Sequence, residues 1–469
     1  MRIERVAAAG WHDAIAGALD GGARFAGAWA GGDDARTPDW HAVLAGPAGP
    51  RVLACQAVDG AVDTIADICP AADWDEREAH DLQGLRFGGR APMRALAAHP
   101  AAPEAWTTPV SGGGVHQVAV GPVHAGVIES GHFRLHVVGE RILALDTRLF
   151  YKHRGLERAA EGQTAAAGLA HAQRACAACA VTNTVAYAQA VEHATGMWPD
   201  RALRVARTLA LELERLYNHL HDIGAICAGV GFAPGSMAFA ALKERAQRVN
   251  AAVGGHRFLF GTVAVGGAAL ALDAAAASVA RAHIRELRED SAAAWRELGF
   301  AGSLQARLDG IGVLAHDDAV RLGAVGPAAR ASGVRDDLRC DSPRLAYEGF
   351  AAVRPAPSAG DVQARLRLRA AELETTYDIL DELLAGPVQP GQVVVARDGA
   401  EVGIGRVESP RGATTCAVTL RHGRVARLHL RTGSYANWPA LAHAAAANLL
   451  GDFPLINKSF ELCYACVDR

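Results

Sequence analysis

Two Cys-x-x-Cys pairs, Cys176/Cys179 and Cys463/Cys466, constrain this 469-residue chain more than any other feature. Nine cysteines placed at random would give roughly 0.15 pairs at separation three, so two pairs are no accident of composition. Residues three apart can turn both sulfurs toward one point, and each pair then offers two thiolates to a metal at ~2.3 Å. A zinc ribbon places its second pair ~15 to 20 residues after the first, whereas Cys179 and Cys463 are 284 residues apart. A site joining such distant segments belongs at the centre of a fold. The alternatives are buried free thiols, since cysteine is among the most buried residue types, and a structural zinc held by four thiolates.

Cys55, Cys69, Cys227, Cys340 and Cys416 bring the count to nine. An odd number in a chain that opens without a signal peptide points to a reducing compartment and not to a disulfide framework. With 47 basic and 50 acidic residues and a formal net charge of -3, the chain lacks the basic stripe of a nucleic-acid binder, and no nucleic-acid partner is expected. Charged residues make up only 21%, so part of the surface is expected to be covered by partners. The longest uncharged apolar run, 223–242, is interrupted by Gly229, Gly231, Pro234, Gly235 and Ser236, and no membrane span is expected.

Periodicity divides the chain and assigns it to the α+β class. Residues 1–100 alternate a helical pattern at 11–19, apolar runs at 25–29, 41–44 and 51–58, and turns at Gly31-Gly32-Asp33-Asp34 and Gly46-Pro47, which reads as a small α/β domain. The Pro-, Ala- and Gly-rich stretch 101–115 reads as a linker. The remainder, 116–469, opens with strands at 117–120, 134–138 and 142–145 and turns mainly helical from about Tyr151. Asp200 is the expected N-cap of a helix with apolar Leu203, Ala206, Leu209, Leu213, Leu216, Tyr217 and Leu220 at helical spacing, and Gly224 is expected to end it. Its polar residues Glu212, Glu214 and Arg215 are expected to meet neighbours or water. Helices at 240–252, 274–298 and 361–384 and peripheral strands at 393–397, 403–408, 415–420 and 425–431 complete the pattern.

The flanks of the cysteine pairs carry a resemblance. Arg174-Ala175-Cys176-Ala177-Ala178-Cys179 resembles the R-x-C-G-x-C motif of nickel-iron hydrogenase large subunits. Cys463-Tyr464-Ala465-Cys466-Val467-Asp468-Arg469 resembles their second cysteine motif, whose mature form ends three residues past the last cysteine. Gly121-Pro122-Val123-His124, Ile128-Glu129-Ser130-Gly131-His132-Phe133-Arg134, His153-Arg154-Gly155-Leu156-Glu157, Glu212-Leu213-Glu214-Arg215-Leu216-Tyr217-Asn218-His219, Gly360-Asp361-Val362-Gln363-Ala364-Arg365 and Val407-Glu408-Ser409-Pro410-Arg411-Gly412 resemble the branch shared by membrane-bound, energy-converting hydrogenases and the 49-kDa subunit of respiratory complex I. Glu76-Arg77-Glu78 with Asp81 and Gly84 is similar to the 30-kDa subunit of complex I, and the fusion order resembles that of formate hydrogenlyase-type large subunits.

This resemblance implies a Ni-Fe centre with Cys176 and Cys463 as terminal nickel thiolates. Cys179 and Cys466 would then bridge nickel to an iron carrying CO and cyanide. Soft thiolates suit a redox-active nickel, and Cys463 is the implied base when H2 is split. Glu129 aligns with a proton-relaying glutamate, a role that needs a carboxylate in a partly dry site; an ordinary helix- or strand-end carboxylate is the alternative. Arg411 aligns with an arginine above the metals, where a guanidinium can orient substrate, and a structural ion pair is the alternative. Glu157 is either a partner of Arg154 or a second carboxylate on a proton path. His219 and His221, two apart on a helix, point to different faces and read as structural. His124 lies where complex I has a histidine of its quinone cavity, or is an ordinary loop histidine. The chain departs from the family pattern at Ala177, at Glu461-Leu462 and at Cys416, where relatives carry glycine, Asp-Pro and histidine.

The function so implied is that of the catalytic large subunit of a membrane-associated [NiFe] hydrogenase, with H2 and protons as substrates. Its implied partners are a small iron-sulfur subunit and membrane-arm subunits that hold it in the cytoplasm on the inner face of the cell membrane. The alternatives are an NADH:quinone oxidoreductase-type subunit, without metal, that forms a quinone site, and a metal-free scaffold derived from a hydrogenase.

Overall fold

Strands that read as unbroken apolar runs need cover on both faces, and the N-terminal sheet has it. In the computed structural model, strands β1 (Glu4–Val6), β2 (Arg24–Gly31), β3 (Asp39–Gly46) and β4 (Gly49–Gln56) lie in the order β1-β4-β3-β2. β1 runs parallel to β4, with Arg5 opposite Ala54, and the other pairs are antiparallel. Helices α1 (Trp11–Asp20) and α2 (Asp73–Gln83) accompany one face, around Trp11, Ile15, Trp40, Leu44 and Leu53. The other face packs Trp29, Val43 and Val52 on Val402, Ile404 and Ala417 from the far end of the chain. Residues 3–31, 38–46, 49–126, 128–349, 351, 353, 359–395, 399–400 and 402–469 are described. Gly32, Asp33, Asp34 and Pro47 of the expected turns, and 396–397 of the strand expected at 393–397, lie outside them.

The larger part opens with an antiparallel sheet of β5 (Val115–Val120), β6 (His132–Val138) and β7 (Arg141–Arg148). A helical body follows: α3 (Leu156–Ala160), α4 (Ala180–Ala194), α5 (Arg201–Gly229), α6 (Ala233–Gly254), α7 (Ala274–Phe300) and α8 (Val362–Leu383). A second antiparallel sheet, β8 (Val402–Ser409), β9 (Gly412–Arg421) and β10 (Arg424–Arg431), precedes α9 (Gly433–Ala445) and α10 (Phe453–Phe460). The class is mixed α+β. Gly403 and Gly405 let β8 lie against α4, because a Cβ at either would fall within 2 Å of the Ala190 or Ala186 carbonyl oxygen.

The long central helix corrects one expectation. Asp200 caps it, accepting from Leu203 N at 2.7 Å, but the helix continues through Gly224 to Gly229. Gly224 is there for close approach: a Cβ would stand 3.1 Å from Phe239 Cβ on α6. Glu212, Glu214 and Arg215 meet neighbours only, since all three are fully buried. Arg215 Nε donates to Glu212 Oε1 at 3.1 Å and its Nη2 to the Glu408 carbonyl at 2.7 Å. Among the described residues no helix is long and apolar enough to cross a membrane.

Candidate metal centre

The fold brings the two cysteine pairs to one point. Cys179 is the N-cap residue of α4, and Cys463 and Cys466 follow α10. The four sulfurs lie within 4.8 Å of one another, with Cys179 Sγ 3.9 Å from Cys463 Sγ. Thiolates at ~2.3 Å from a tetrahedral metal stand about 3.8 Å apart, so the cluster fits a metal in size and in donor chemistry. Cys176, Cys179 and Cys466 are buried, and Cys463 faces a cleft of about 400 Å³ with Cys176, Arg411, Glu129, Tyr464 and Lys243 on its walls. Hydrogen bonding from Cys176, Cys179 and Cys466, together with the Arg411 charge, lowers the Cys463 thiol, whereas hydrogen bonding among the sulfurs and burial raise Cys179.

Three elements hold the cysteine segments in place. The face of α5 formed by Glu214, Tyr217 and Asn218 supports the first pair. Asn218 Nδ2 donates to the Ala178 carbonyl at 2.9 Å and Tyr217 Oη at 3.2 Å, while the Glu214 carboxylate accepts from Val181 N at 2.6 Å and Thr182 N at 3.1 Å. Glu214 thus caps α4 from outside, where Cys179 has no side-chain cap to offer. Burial pushes its carboxyl up to about 7. Ser434, near the start of α9, accepts from Cys463 N at 3.0 Å. Arg154 joins the two pairs through backbone: its guanidinium donates to the Arg174 and Ala175 carbonyls at 2.8 Å each, to Ala465 at 2.9 Å and to Asp468 at 3.2 Å.

Arg411 sits in the turn between β8 and β9 and is buried at the cleft. Its Nη1 and Nη2 reach the Asp222 carboxylate at 3.1 and 2.9 Å, and its Nε donates to the Glu461 carbonyl at 2.7 Å. Burial works against ionisation of Asp222, yet the charge of Arg411, helped by His219 and Arg369, holds the carboxyl well below the usual range. Arg411 therefore has a structural ion pair and a cleft position together.

Other expected site residues fall less simply. Glu129 reaches the cleft and accepts from Ala465 N at 2.8 Å, but it is exposed, not in a partly dry site, because the loop before β6 lies on the surface. Glu157 does not pair with Arg154; it accepts from Arg469 Nε at 2.7 Å and Leu430 N at 2.8 Å. His219 Nε2 lies 3.0 Å from Glu372 Oε2 in the buried charge network, while His221 points the other way, into the cleft wall, with Nε2 3.2 Å from Glu461 Oε1. His124 Nε2 stands 2.7 Å from the Gly131 carbonyl oxygen and fixes its own loop. Ala177 is exposed with room for its methyl group, and Cys416 is packed in the main core, outside the cleft lining. Sequence reasoning missed Glu214, Asn218, Ser434 and Arg154's clamp. For Glu214, Tyr217 and Asn218 the i, i+3, i+4 spacing on one helix face was the available signal.

Comparison with known proteins finds relatives along most of the chain. The model of the respiratory-chain NADH dehydrogenase 49 Kd subunit matches residues 230–401, and that of the 30 Kd subunit matches residues 50–111. The chain is 30% identical to formate hydrogenlyase subunit 5 of Escherichia coli (strain K12), over 85% of this chain and 75% of that one. It is 31% identical to an NADH-quinone oxidoreductase subunit of Salinispora arenicola, over 75% and 93%. A chain in the structure of the membrane-bound sulfane sulfur reductase, an archaeal respiratory membrane complex, superposes with a TM-score of 0.69 at 25% identity, covering 76% of this chain and 98% of that one. The chain therefore belongs to the oxidoreductase family that unites membrane-bound hydrogenase subunits with the 49-kDa subunit of complex I, here fused to a 30-kDa-subunit-like segment.

Proposed function

We propose that the chain is the catalytic large subunit of a membrane-associated [NiFe] hydrogenase that interconverts H2 with protons and electrons. The observation that carries this reading is the convergence of four cysteine sulfurs within 4.8 Å from segments at opposite ends of the helical body. A metal-free quinone-site subunit has no use for such a cluster. Cys176, Cys179, Cys463 and Cys466 would together hold the nickel and iron of the centre. Such a centre would supply the redox chemistry and the Lewis acidity that H2 activation requires.

The rest of the task falls to the chain's own groups. Cys463, lowered by its sulfur neighbours and by Arg411, is the thiolate suited to take the proton. Arg411, fixed by Asp222 and the Glu461 carbonyl, orients substrate from the cleft wall. Glu129, tied to Ala465 N beside the second pair, would hand the proton to water at the exposed end of the path and not relay it through a dry interior. The chain would divide into a 30-kDa-like domain at 1–100, a linker at 101–115 and the hydrogenase body at 116–469. It would exchange electrons with a small iron-sulfur subunit and be held by membrane-arm subunits on the cytoplasmic side of the membrane. Metal analysis of protein from a maturation-competent native host is the test. Nickel and iron with infrared bands of iron-bound CO and cyanide are expected; absence of nickel overturns the reading.

A further inference from the structure

A second group of metal-capable side chains, Glu78, Glu157 and His429, converges within 4.8 Å outside the cleft. The place of a cation there is taken by the chain's own Arg469. Its Nη2 donates to both Glu78 oxygens at 2.8 and 3.1 Å, and its Nε to Glu157 Oε1 at 2.7 Å. The guanidinium carbon stands 4.6 Å from the centroid of the Tyr435 ring, and Arg469 is only 2% exposed. Arg431 extends the same junction: its Nε donates to Asp75 at 3.1 Å, and its guanidinium lies 5.8 Å from the same ring.

The placement of these residues matters more than their pairing. Glu78 and Asp75 lie on α2 of the N-terminal unit, whereas Arg469 follows Cys466 by three residues. The segment 463–469 therefore has an anchor at each end, the cysteine cluster and α2. Between them, the carbonyls of Ala465 and Asp468 are held by Arg154. A segment so short, fixed at both ends, has little freedom to satisfy one anchor without the other.

We propose that Arg469 and Glu78 are positioning residues for the cysteine cluster: the docked N-terminal unit sets the register of 463–469 that presents Cys463 and Cys466 to a metal. Docking and metal binding are then linked, and the linkage is reciprocal, so the factor by which docking raises metal affinity is the factor by which metal tightens docking. This inference rests on the four cysteines as a metal site and is independent of nickel.

Cobalt(II) is a suitable probe, because its thiolate complexes absorb strongly. The full chain, freed of metal, is titrated with Co2+ against a chelator, and amide hydrogen exchange over 73–83 is followed with and without Co2+. In the unsubstituted protein Co2+ is expected to slow exchange over α2. Glu78→Gln is expected to weaken Co2+ binding about 10- to 100-fold, the range typical of groups that orient metal ligands, and to shrink the slowing by the same factor. Arg469→Lys, which keeps the charge and loses the fork, should fall between. Trp40→Phe, which perturbs the N-terminal core without touching the junction, should leave Co2+ affinity within about twofold. Equal Co2+ affinity in Glu78→Gln overturns the proposal, as does α2 exchange indifferent to Co2+ in the unsubstituted protein, a measurement no variant can spoil. Failure of Co2+ to bind at all does the same. Native protein devoid of nickel that still shows the cobalt linkage defeats the hydrogenase reading alone.

Discussion

Among the described residues metal-capable donors gather twice, and the two clusters differ in what neutralises them. At the junction of α2 and α3, Glu78 and Glu157 have the Arg469 guanidinium between them, supplied by the chain itself. At the cleft four thiols meet, and the cation beside them, Arg411, is engaged by Asp222 and the Glu461 carbonyl. Four thiolates in such proximity cannot all ionise without a compensating positive charge. The same spatial convergence therefore yields a cross-link in one place and, in the function proposed above, a metal site in the other. The presence of a tethered counter-charge decides between them.

The largest effect is expected from breaking the thiol cluster. Cys179→Ser removes one soft thiolate of the four, and it should abolish H2-dependent dye reduction and lower bound metal in native protein; unchanged activity would refute a ligand role for Cys179. Next comes the ion pair that occupies Arg411. Arg411→Ala leaves Asp222 buried with Arg369 Nε, at 3.0 Å, as its main partner. The cost is expected to be about 3 to 5 kcal/mol, read by denaturant unfolding of metal-free protein, with Arg411→Lys recovering part of it. Equal stability of the alanine variant would show that the cleft wall does not depend on this pair.

How much of this could be read from the sequence follows from where the information lies. The Cys-x-x-Cys spacing announced the cluster because both ligands of each pair are local, and the Asp200 cap announced the start of α5 because capping is local too. Gly224 misled, since its reason is the Phe239 side of a neighbouring helix, which no local pattern records. Arg154 could not be assigned its role because its acceptors are backbone carbonyls, which every residue carries; a carboxylate three positions away was the more visible partner. Glu212, Glu214 and Arg215 sit amid apolar neighbours on a helix buried all round, and only tertiary packing tells a buried polar stripe from a wet one.

Two carboxylates, half-buried Glu157 and fully buried Glu214, sharpen the comparison further. Burial opposes ionisation of Glu157, but the Arg469 charge overrides it and holds the carboxyl well below the usual range. Its contribution to stability is present above the unfolded value and is lost as pH falls toward its folded one. Glu214, beside the cysteine cluster, has backbone N–H groups and the Thr182 hydroxyl as its hydrogen-bond donors, and burial leaves it at about 7. There the sign reverses. Between about 4.5 and 7 the folded chain holds the proton that the unfolded chain has released, so the contribution of Glu214 falls as pH rises through this window, by a few kcal/mol (on the order of 3) at most. Glu214→Gln keeps an oxygen acceptor for the Val181 and Thr182 amides and cannot ionise. Unfolding of metal-free protein followed from pH 5 to pH 8 should show the variant gaining on the unsubstituted chain as pH rises, while Glu157→Gln loses stability throughout. Parallel curves for Glu214→Gln and the unsubstituted chain would mean that this carboxylate, too, has a counter-charge.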